Sequence, residues 1–272
     1  MFAHEFMRNA LLAGSFVGLA CGLVGYFVVL RAQVFAGDAL SHVAFTGGLG
    51  AAVLGLDILA GVFAATILGG IVIGLLGDRA RADDVAIGSF FAWSLGLGVL
   101  FLTIFTTQRS AGNGVAGVRV LFGSILGLSG SDVRTSVLLS VLACGLLLAI
   151  ARPLLFASLD DAVAAAQGVP VRVLGLGFLA LLGLVAAQAT QAVGALLLLG
   201  LLSAPAGAAH RLTATPYLGL LLTSVFAVAS IWIGLSLSYV FPTLPPSSMI
   251  IAAAVGIYVL ALAATALNGN VA

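Results

Sequence analysis

Long stretches without a charged residue restrict this chain more than any other feature. Six such runs cover most of the sequence: residues 9–30, 58–77, 85–108, 135–151, 173–210 and 212–272. An α-helix needs about 20 mostly apolar residues to cross the hydrocarbon core of a bilayer. Only 7% of all residues are charged, against about 25% in soluble domains. We therefore predict a polytopic membrane protein with almost no domain outside the bilayer.

The two longest runs each predict a pair of helices. Residues 173–210 are expected to divide near Ala187–Gln191, where two glutamines interrupt the apolar sequence. Residues 212–272 are expected to divide at Phe241–Ser248, which contains three prolines. Proline removes a backbone donor and clashes with the preceding helical turn, so it favours a break there.

One further helix is predicted over Asp38–Gly55, which brings the count to nine membrane segments. Val115–Ser129 is short and contains glycines. It is either a tenth crossing or a half-helix, which is tolerated only where protein or a water cavity shields its backbone. A β-barrel is excluded because its strands alternate apolar and polar residues. The fold class is therefore an all-α membrane bundle of nine to ten segments, with residues 1–272 forming one transmembrane domain.

The basic residues also limit the chemistry of the chain. All ten are arginines, and the sequence contains no lysine. The phosphate-binding loop of many ATPases requires a lysine, so any ATP that drives transport must bind to another polypeptide. The net charge of +1 gives no reason to expect a nucleic-acid partner. Neither HExxH nor GxSxG occurs, so an enzymatic function has little support.

The largest polar interruption is Arg152–Arg172. Ser158 is a suitable N-cap, and Asp160 and Asp161 would then lie in the first turn, where carboxylates complement the helix dipole. The glycine and proline of Gly168–Pro170 would end the helix. We predict a short helix outside the membrane, on the cytoplasmic side because arginines flank it. An ordinary connecting loop is the alternative.

The motif GDALSH places Asp38 and His42 four residues apart. On a helix this spacing puts both side chains on one face, about one turn apart. Ionisable residues inside membrane segments are costly and commonly mark ion pathways. A carboxylate and an imidazole form a partial ligand set for Zn²⁺ or Mn²⁺. Two ligands bind weakly, which suits a point from which an ion must also leave.

Two other interpretations of the pair stay open. Asp38 could cap the helix while His42 bonds to a carbonyl of a neighbouring helix, or the two could relay a proton. Another histidine, His210, ends a long apolar run and is expected at a solvated helix end.

Four segments together resemble the permease subunit of bacterial zinc/manganese ABC importers. They are FVVLRAQVFAGDALSHVAFTGGLGA, RVLFGSILGL, SLDDAVAAAQGVPV and VGALLLLGLLSAPAGAAHRL, in the same order as in that family. The resemblance implies a bundle like that of the cobalamin-importer permeases (type II importers). It also implies a multi-pass protein of the bacterial plasma membrane. Two departures concern possible metal contacts, because family members often carry an acid or asparagine at Ser124 and an acid near Pro242.

The resemblance further implies the partners and the site. The expected assembly is a permease homodimer, with cytoplasmic ATPases that alone bind ATP and an extracytoplasmic protein that delivers the ion. The permease has no permanent cofactor, and its transported ion is Zn²⁺ or Mn²⁺. Asp38 and His42 would contact the metal in the translocation path. A coupling helix at about residues 158–170 would sit in an ATPase groove, with contacts from Ser158, Asp160, Asp161, Gln167, Gly168 and Pro170.

Two rival functions are retained. An ion- or proton-coupled secondary metal transporter would work without an ATPase. Within the importer class, the cargo could be iron or a metal chelate.

Overall fold

A computed structural model describes residues 4–77, 84–108, 125–195 and 198–267. Within these residues every regular element is helical, which confirms the all-α class. The ten α-helices are α1 Glu5–Leu30, α2 Val34–Leu54, α3 Ile58–Leu76, α4 Asp84–Gln108, α5 Gly130–Leu159, α6 Asp161–Ala166, α7 Val171–Val193, α8 Leu198–Leu212, α9 Pro216–Val240 and α10 Pro246–Leu267. A 3₁₀ turn, Ile125–Gly127, precedes α5.

Seven of these helices are long and apolar enough to cross a membrane: α1, α3, α4, α5, α7, α9 and α10. Helix α2, which carries the GDALSH motif, and the 15-residue helix α8 do not belong to that set. Most of the predicted segment Val115–Ser129 lies outside the described residues. Its described end is the 3₁₀ turn followed by Ser129, which caps α5 together with Asp132 in a reciprocal pair of hydrogen bonds.

The helices pack closely where glycines meet neighbouring backbone. A β-carbon at Gly25 of α1 would overlap the Leu202 carbonyl oxygen of α8, and one at Gly70 of α3 would overlap the Leu179 carbonyl oxygen of α7. Small residues allow such approach in lipid, where hydrophobicity does not drive helices together. The glycine-rich sequence therefore produces a tight bundle.

Contacts between residues distant in sequence show which elements lie at the same end of the bundle. At one end, which we call the α6 end, Arg31 after α1 hydrogen-bonds Ser158 of α5. At the opposite end, Asn9 near the start of α1 donates to the carbonyl of Leu128, just before α5. Helix α2 starts at the α6 end and runs parallel to α4. The start of α1 and the short helix α6 thus lie at opposite ends.

Residues 173–210 divide into two helices as predicted, but the first helix ends a little beyond Gln191. Helix α7 continues to Val193, and the chain breaks at Gly194, whose φ of 96° is unfavourable for other residues. Gln188 is accommodated inside the helix because its Oε1 accepts a hydrogen bond from Ser140 of α5 at 3.3 Å. The glutamine is therefore a contact between helices rather than a break.

Candidate functional site

Asp38 and His42 lie on α2, one turn apart, as the spacing predicts. The helix begins at Val34, earlier than the predicted Asp38, so Asp38 lies in its second turn. The interpretation of Asp38 as the N-cap is therefore wrong; Gln33 holds that position without a side-chain cap. At 1.5 Å per residue, Asp38 and His42 stand about 6 and 12 Å along the axis from the helix start.

Both side chains are half-buried and keep their donor atoms available. Among the described residues, neither the Asp38 carboxylate nor the His42 ring nitrogens make a hydrogen bond; only their backbone carbonyls accept one. The His42 ring instead meets the Phe91 ring of α4 edge to face, with centroids 5.1 Å apart and planes at 63°. The alternative of a histidine bonded to a neighbouring carbonyl thus has no support in the described part of the chain.

A pair of hydroxyl groups continues the polar stripe one turn beyond His42. The Thr46 Oγ1 donates to the Ser94 carbonyl oxygen of α4 at 2.9 Å, and the Ser94 Oγ lies 3.3 Å from the Thr46 Oγ1. Both residues are buried, at 7% and 3% exposure. Asp38, His42 and Thr46 therefore share the face of α2 that packs against α4. The sequence reasoning missed Thr46, although its four-residue spacing from His42 is a visible signal.

The other faces of α2 are mostly apolar, with the buried Ser41 hydroxyl bonded to the Asp38 carbonyl oxygen. Gly37 and Leu40 point toward the core, where a β-carbon at Gly37 would touch Leu202 and Leu182. Within the described residues no group of three or more His, Cys, Asp or Glu side chains could hold a metal. This stretch of the chain thus offers two protein donors to a cation, an oxygen and a nitrogen. Both cysteines, Cys21 and Cys144, are free and buried in helix packing.

The second predicted site, over residues 158–170, is a helix of six residues, α6. Ser158 is not its N-cap, because α5 continues to Leu159 and contains Ser158. Asp160 is the N-cap, and its Oδ1 accepts from the Ala162 and Val163 amides at 3.0 Å each. Asp161 then opens the first turn.

The end of this helix follows the predicted pattern. Gln167 is its C-cap, and Gly168 adopts a φ of 82°, which favours glycine. Pro170 then caps the start of α7. A groove of about 730 Å³ beside the helix is lined by Gly77, Asp161, Ala162, Ala165, Pro170, Val171, Arg172 and Val173. Two opposite charges, a turn of small residues and an open groove make this a suitable surface for another protein.

Two other expectations have clear outcomes. His210 is not at a freely solvated helix end: its ring stacks on Tyr26 at 4.4 Å, and its Nε2 lies 3.1 Å from the Tyr26 carbonyl oxygen. The stacked ring and the carbonyl together hold the end of α8 against α1. Pro242 is exposed in the α9–α10 turn, whereas Ser124 lies outside the described residues.

Comparison with known proteins gives consistent matches over nearly the whole chain. The sequence profile of the ABC 3 transport family matches residues 3–265. The manganese transport system membrane protein MntC of Halalkalibacterium halodurans is 29% identical over 254 residues, covering 93% of this chain and 85% of that protein. A probable iron transport system membrane protein of Haemophilus influenzae is 30% identical over 260 residues, covering 95% and 93%.

A solved structure agrees with these sequence matches. PsaBC from Streptococcus pneumoniae in complex with Fab superposes with a TM-score of 0.82 at 28% identity, covering 95% of this chain and 91% of that one. The overall arrangement of the helices therefore matches that of a solved protein of similar sequence.

Proposed function

Since the chain belongs to the ABC 3 transport family, we propose that it moves a divalent transition-metal ion through the Asp38–His42 pair. The chain is a multi-pass membrane permease of a bacterial ABC importer, and it is a transport component rather than an enzyme. Its cargo class is manganese or zinc, in line with relatives that are named manganese transport permeases. Manganese is the first candidate.

Family membership supports the following proposal for the assembly. Two copies of the permease form a homodimer with nine crossings each and a type II importer arrangement. Cytoplasmic ATPase subunits bind ATP and dock on α6 and its groove, and an extracytoplasmic metal-binding protein delivers the ion. If α6 faces the cytoplasm, the start of α1 faces outward, because the two lie at opposite ends of the bundle.

The proposed mechanism is alternating access. The ion enters from the end opposite α6 and meets the stripe of Thr46, His42 and Asp38 in that order. The imidazole and carboxylate replace part of its water shell, and the pair from each protomer together supplies four donors. ATP binding and hydrolysis in the partner move α6, the bundle rearranges, and the ion leaves inward. Four donors leave part of the water shell of the ion in place, so it can still be released.

One observation carries this proposal: both donors share one face of α2 and neither is occupied by a hydrogen bond within the described residues. The test is ATP-driven ⁵⁴Mn²⁺ uptake by the permease reconstituted with its ATPase and binding protein. Asp38→Asn and His42→Gln should each abolish uptake while the complex still assembles.

A matched control uses another aspartate. Asp57 caps α3, where its Oδ1 accepts from the Ala60 amide at 2.8 Å, and asparagine caps a helix equally well. Asp57→Asn should therefore transport normally. Normal uptake by Asp38→Asn, or uptake by the wild type without ATP under an ion or proton gradient alone, would overturn the proposal. The second outcome would favour a secondary transporter.

Iron is a specific second cargo candidate, because the Haemophilus influenzae relative is named a probable iron transport protein. A competition assay with unlabelled metal ions distinguishes manganese from iron as the cargo. Excess unlabelled Mn²⁺ should suppress ⁵⁴Mn²⁺ uptake much more than equal Fe²⁺ or Zn²⁺. Stronger suppression by Fe²⁺ would assign iron instead.

A further inference from the structure

The three-residue turn between α1 and the metal-bearing helix α2 contains a buried arginine. Arg31 is only 7% exposed, and its Nη1 donates to the Ser158 Oγ at 3.2 Å. Its guanidinium carbon also lies 5.7 Å from the centre of the Phe178 ring on α7. Arg31 therefore touches both helices that flank α6: α5 before it and α7 after it.

Ser158 is well placed to report movement of α6. It lies in the last turn of α5, two residues before Asp160, the N-cap of α6. Its own hydroxyl donates to the Leu154 carbonyl oxygen at 2.6 Å, which holds the side chain in one orientation. A shift of the α5–α6 junction must therefore move the acceptor of the arginine's hydrogen bond.

The turn that carries Arg31 transmits such a shift rather than absorbing it. The Ala32 and Gln33 amides donate back to the Val29 and Val28 carbonyls at 3.1 and 2.8 Å, the pattern that closes a helix end. Ala32 sits at a φ of 54°, in the left-handed region that only a tightly determined turn imposes on alanine. Gln33 is 2% exposed and immediately precedes α2.

The path from this turn to the metal pair is short. Helix α2 starts at Val34, and Asp38 stands about 6 Å further along its axis. The same rigid element that holds Arg31 thus positions the start of the helix that carries both metal donors.

We propose that Arg31 is a positioning residue that couples movement of the ATPase-docking segment to the metal-bearing helix. The proposal rests on the proposed function and adds a route for the coupling within one protomer. When α6 moves, Ser158 and Phe178 move with their helices, Arg31 follows, and α2 changes its tilt or rotation. The Asp38–His42 pair then changes its presentation to the ion in step with ATP hydrolysis.

The alternative is that Arg31 has a purely structural role. Its contacts would then only stabilise the fold, since burying an arginine without partners is costly. The two roles differ in one measurable quantity, the number of metal ions transported per ATP hydrolysed. An anchor alters assembly, so transport and ATPase activity fall together. A coupling residue alters the ratio in complexes that are assembled and still hydrolyse ATP.

The experiment measures ⁵⁴Mn²⁺ uptake and phosphate release in the same proteoliposomes, with the complete transporter. Ser158→Ala removes one acceptor with little change in volume, and Arg31→Lys keeps the charge but loses the guanidinium geometry. Each should lower the ions-per-ATP ratio about tenfold, as expected for one charge-assisted hydrogen bond, while ATPase activity stays within about twofold.

Ser140→Ala is the matched control on the same helix. Ser140 is fully buried and bonds Gln188, far from the α5–α6 junction, so its loss should leave the ratio unchanged. An unchanged ratio in both junction variants, or a proportional fall in uptake and ATPase activity, would overturn the coupling role. Absence of ATP-driven uptake in the wild type would instead overturn the proposed function itself.

Discussion

Replacing Thr46 by valine should loosen α4 from α2. Valine has nearly the same shape as threonine, so the change removes the hydroxyl without opening a cavity. It deletes the 2.9 Å hydrogen bond to the Ser94 carbonyl and the acceptor that lies 3.3 Å from the Ser94 Oγ. Within the described residues α4 packs mainly against α2, so few other contacts compensate.

The expected magnitude follows from these two contacts. Hydrogen bonds between membrane helices contribute about 0.6 kcal/mol on average and about 1.7 kcal/mol at most. Two contacts through one hydroxyl should therefore contribute about 1 kcal/mol to the free energy of unfolding, which is about fivefold in the equilibrium constant. Because Phe91 lies one turn before Ser94 and touches His42, the KM for Mn²⁺ should also rise by about threefold to fivefold.

The assay is a double-mutant cycle. Unfolding of the detergent-solubilised permease by sodium dodecyl sulfate is followed by tryptophan fluorescence, to which Trp93, beside Ser94, contributes. Thr46→Val alone should cost about 1 kcal/mol. Its coupling energy with Ser94→Ala should be smaller, about 0.6 kcal/mol, because alanine at position 94 loses the hydroxyl contact but keeps the backbone carbonyl that accepts from Thr46. Thr103→Val is the control, since the Thr103 hydroxyl bonds only within α4, to Val99 at 2.9 Å. A Thr46→Val permease with the same free energy of unfolding as the wild type would refute the reasoning, and additivity within about 0.3 kcal/mol would refute the hydroxyl–hydroxyl contact.

Three further changes test other parts of the structure. Gly70→Ala forces a β-carbon against the Leu179 carbonyl oxygen, so it should destabilise the permease by about 1–3 kcal/mol in the same titration; an unshifted midpoint would contradict the close packing. Ala32→Gly relieves the strain of the left-handed conformation in the α1–α2 turn and should raise the free energy of unfolding of the permease by about 0.5 kcal/mol. A clear loss of stability would contradict the left-handed conformation at this position. Asp160→Ala removes the N-cap hydrogen bonds of α6, which costs about 1 kcal/mol, so less ATPase should co-purify with this variant. Asp160→Asn retains a capping side chain and should co-purify with a normal amount of ATPase. Equal recovery of the ATPase with both variants would argue against α6 as the docking helix.

The helical bundle could be predicted because long apolar segments with few charged residues can cross a bilayer only as α-helices or closed barrels. Apolar length indicates where helices cross, and the GDALSH spacing alone predicts that Asp38 and His42 share a face. Helix ends were harder to predict. In a membrane segment a charged residue does not mark the boundary, so α2 extends a turn before Asp38, and α5 extends through Arg152 to Leu159.

The remaining features depend on residues far apart in the sequence. In the sequence alone Gln188 suggests a helix break, whereas in the structure it accepts a hydrogen bond from Ser140 of another helix. Ser94 contacts Thr46, although 48 residues separate them in the sequence. In the sequence alone His210 suggests a solvated helix end, whereas in the structure it contacts the ring and the backbone carbonyl of Tyr26. Such pairings follow from the packing of whole helices, and a local pattern in one sequence carries no signal for them.

The most direct measurement of the central claim uses the electron spin of Mn²⁺ itself. Pulsed electron paramagnetic resonance of Mn²⁺ bound to the permease–ATPase complex, without the delivering protein, detects nitrogen nuclei that ligate the metal. The wild type should show imidazole nitrogen coupling that disappears in His42→Gln and persists in His210→Gln. An unchanged nitrogen signal in His42→Gln, or none in the wild type with Mn²⁺ bound, would contradict ligation by α2.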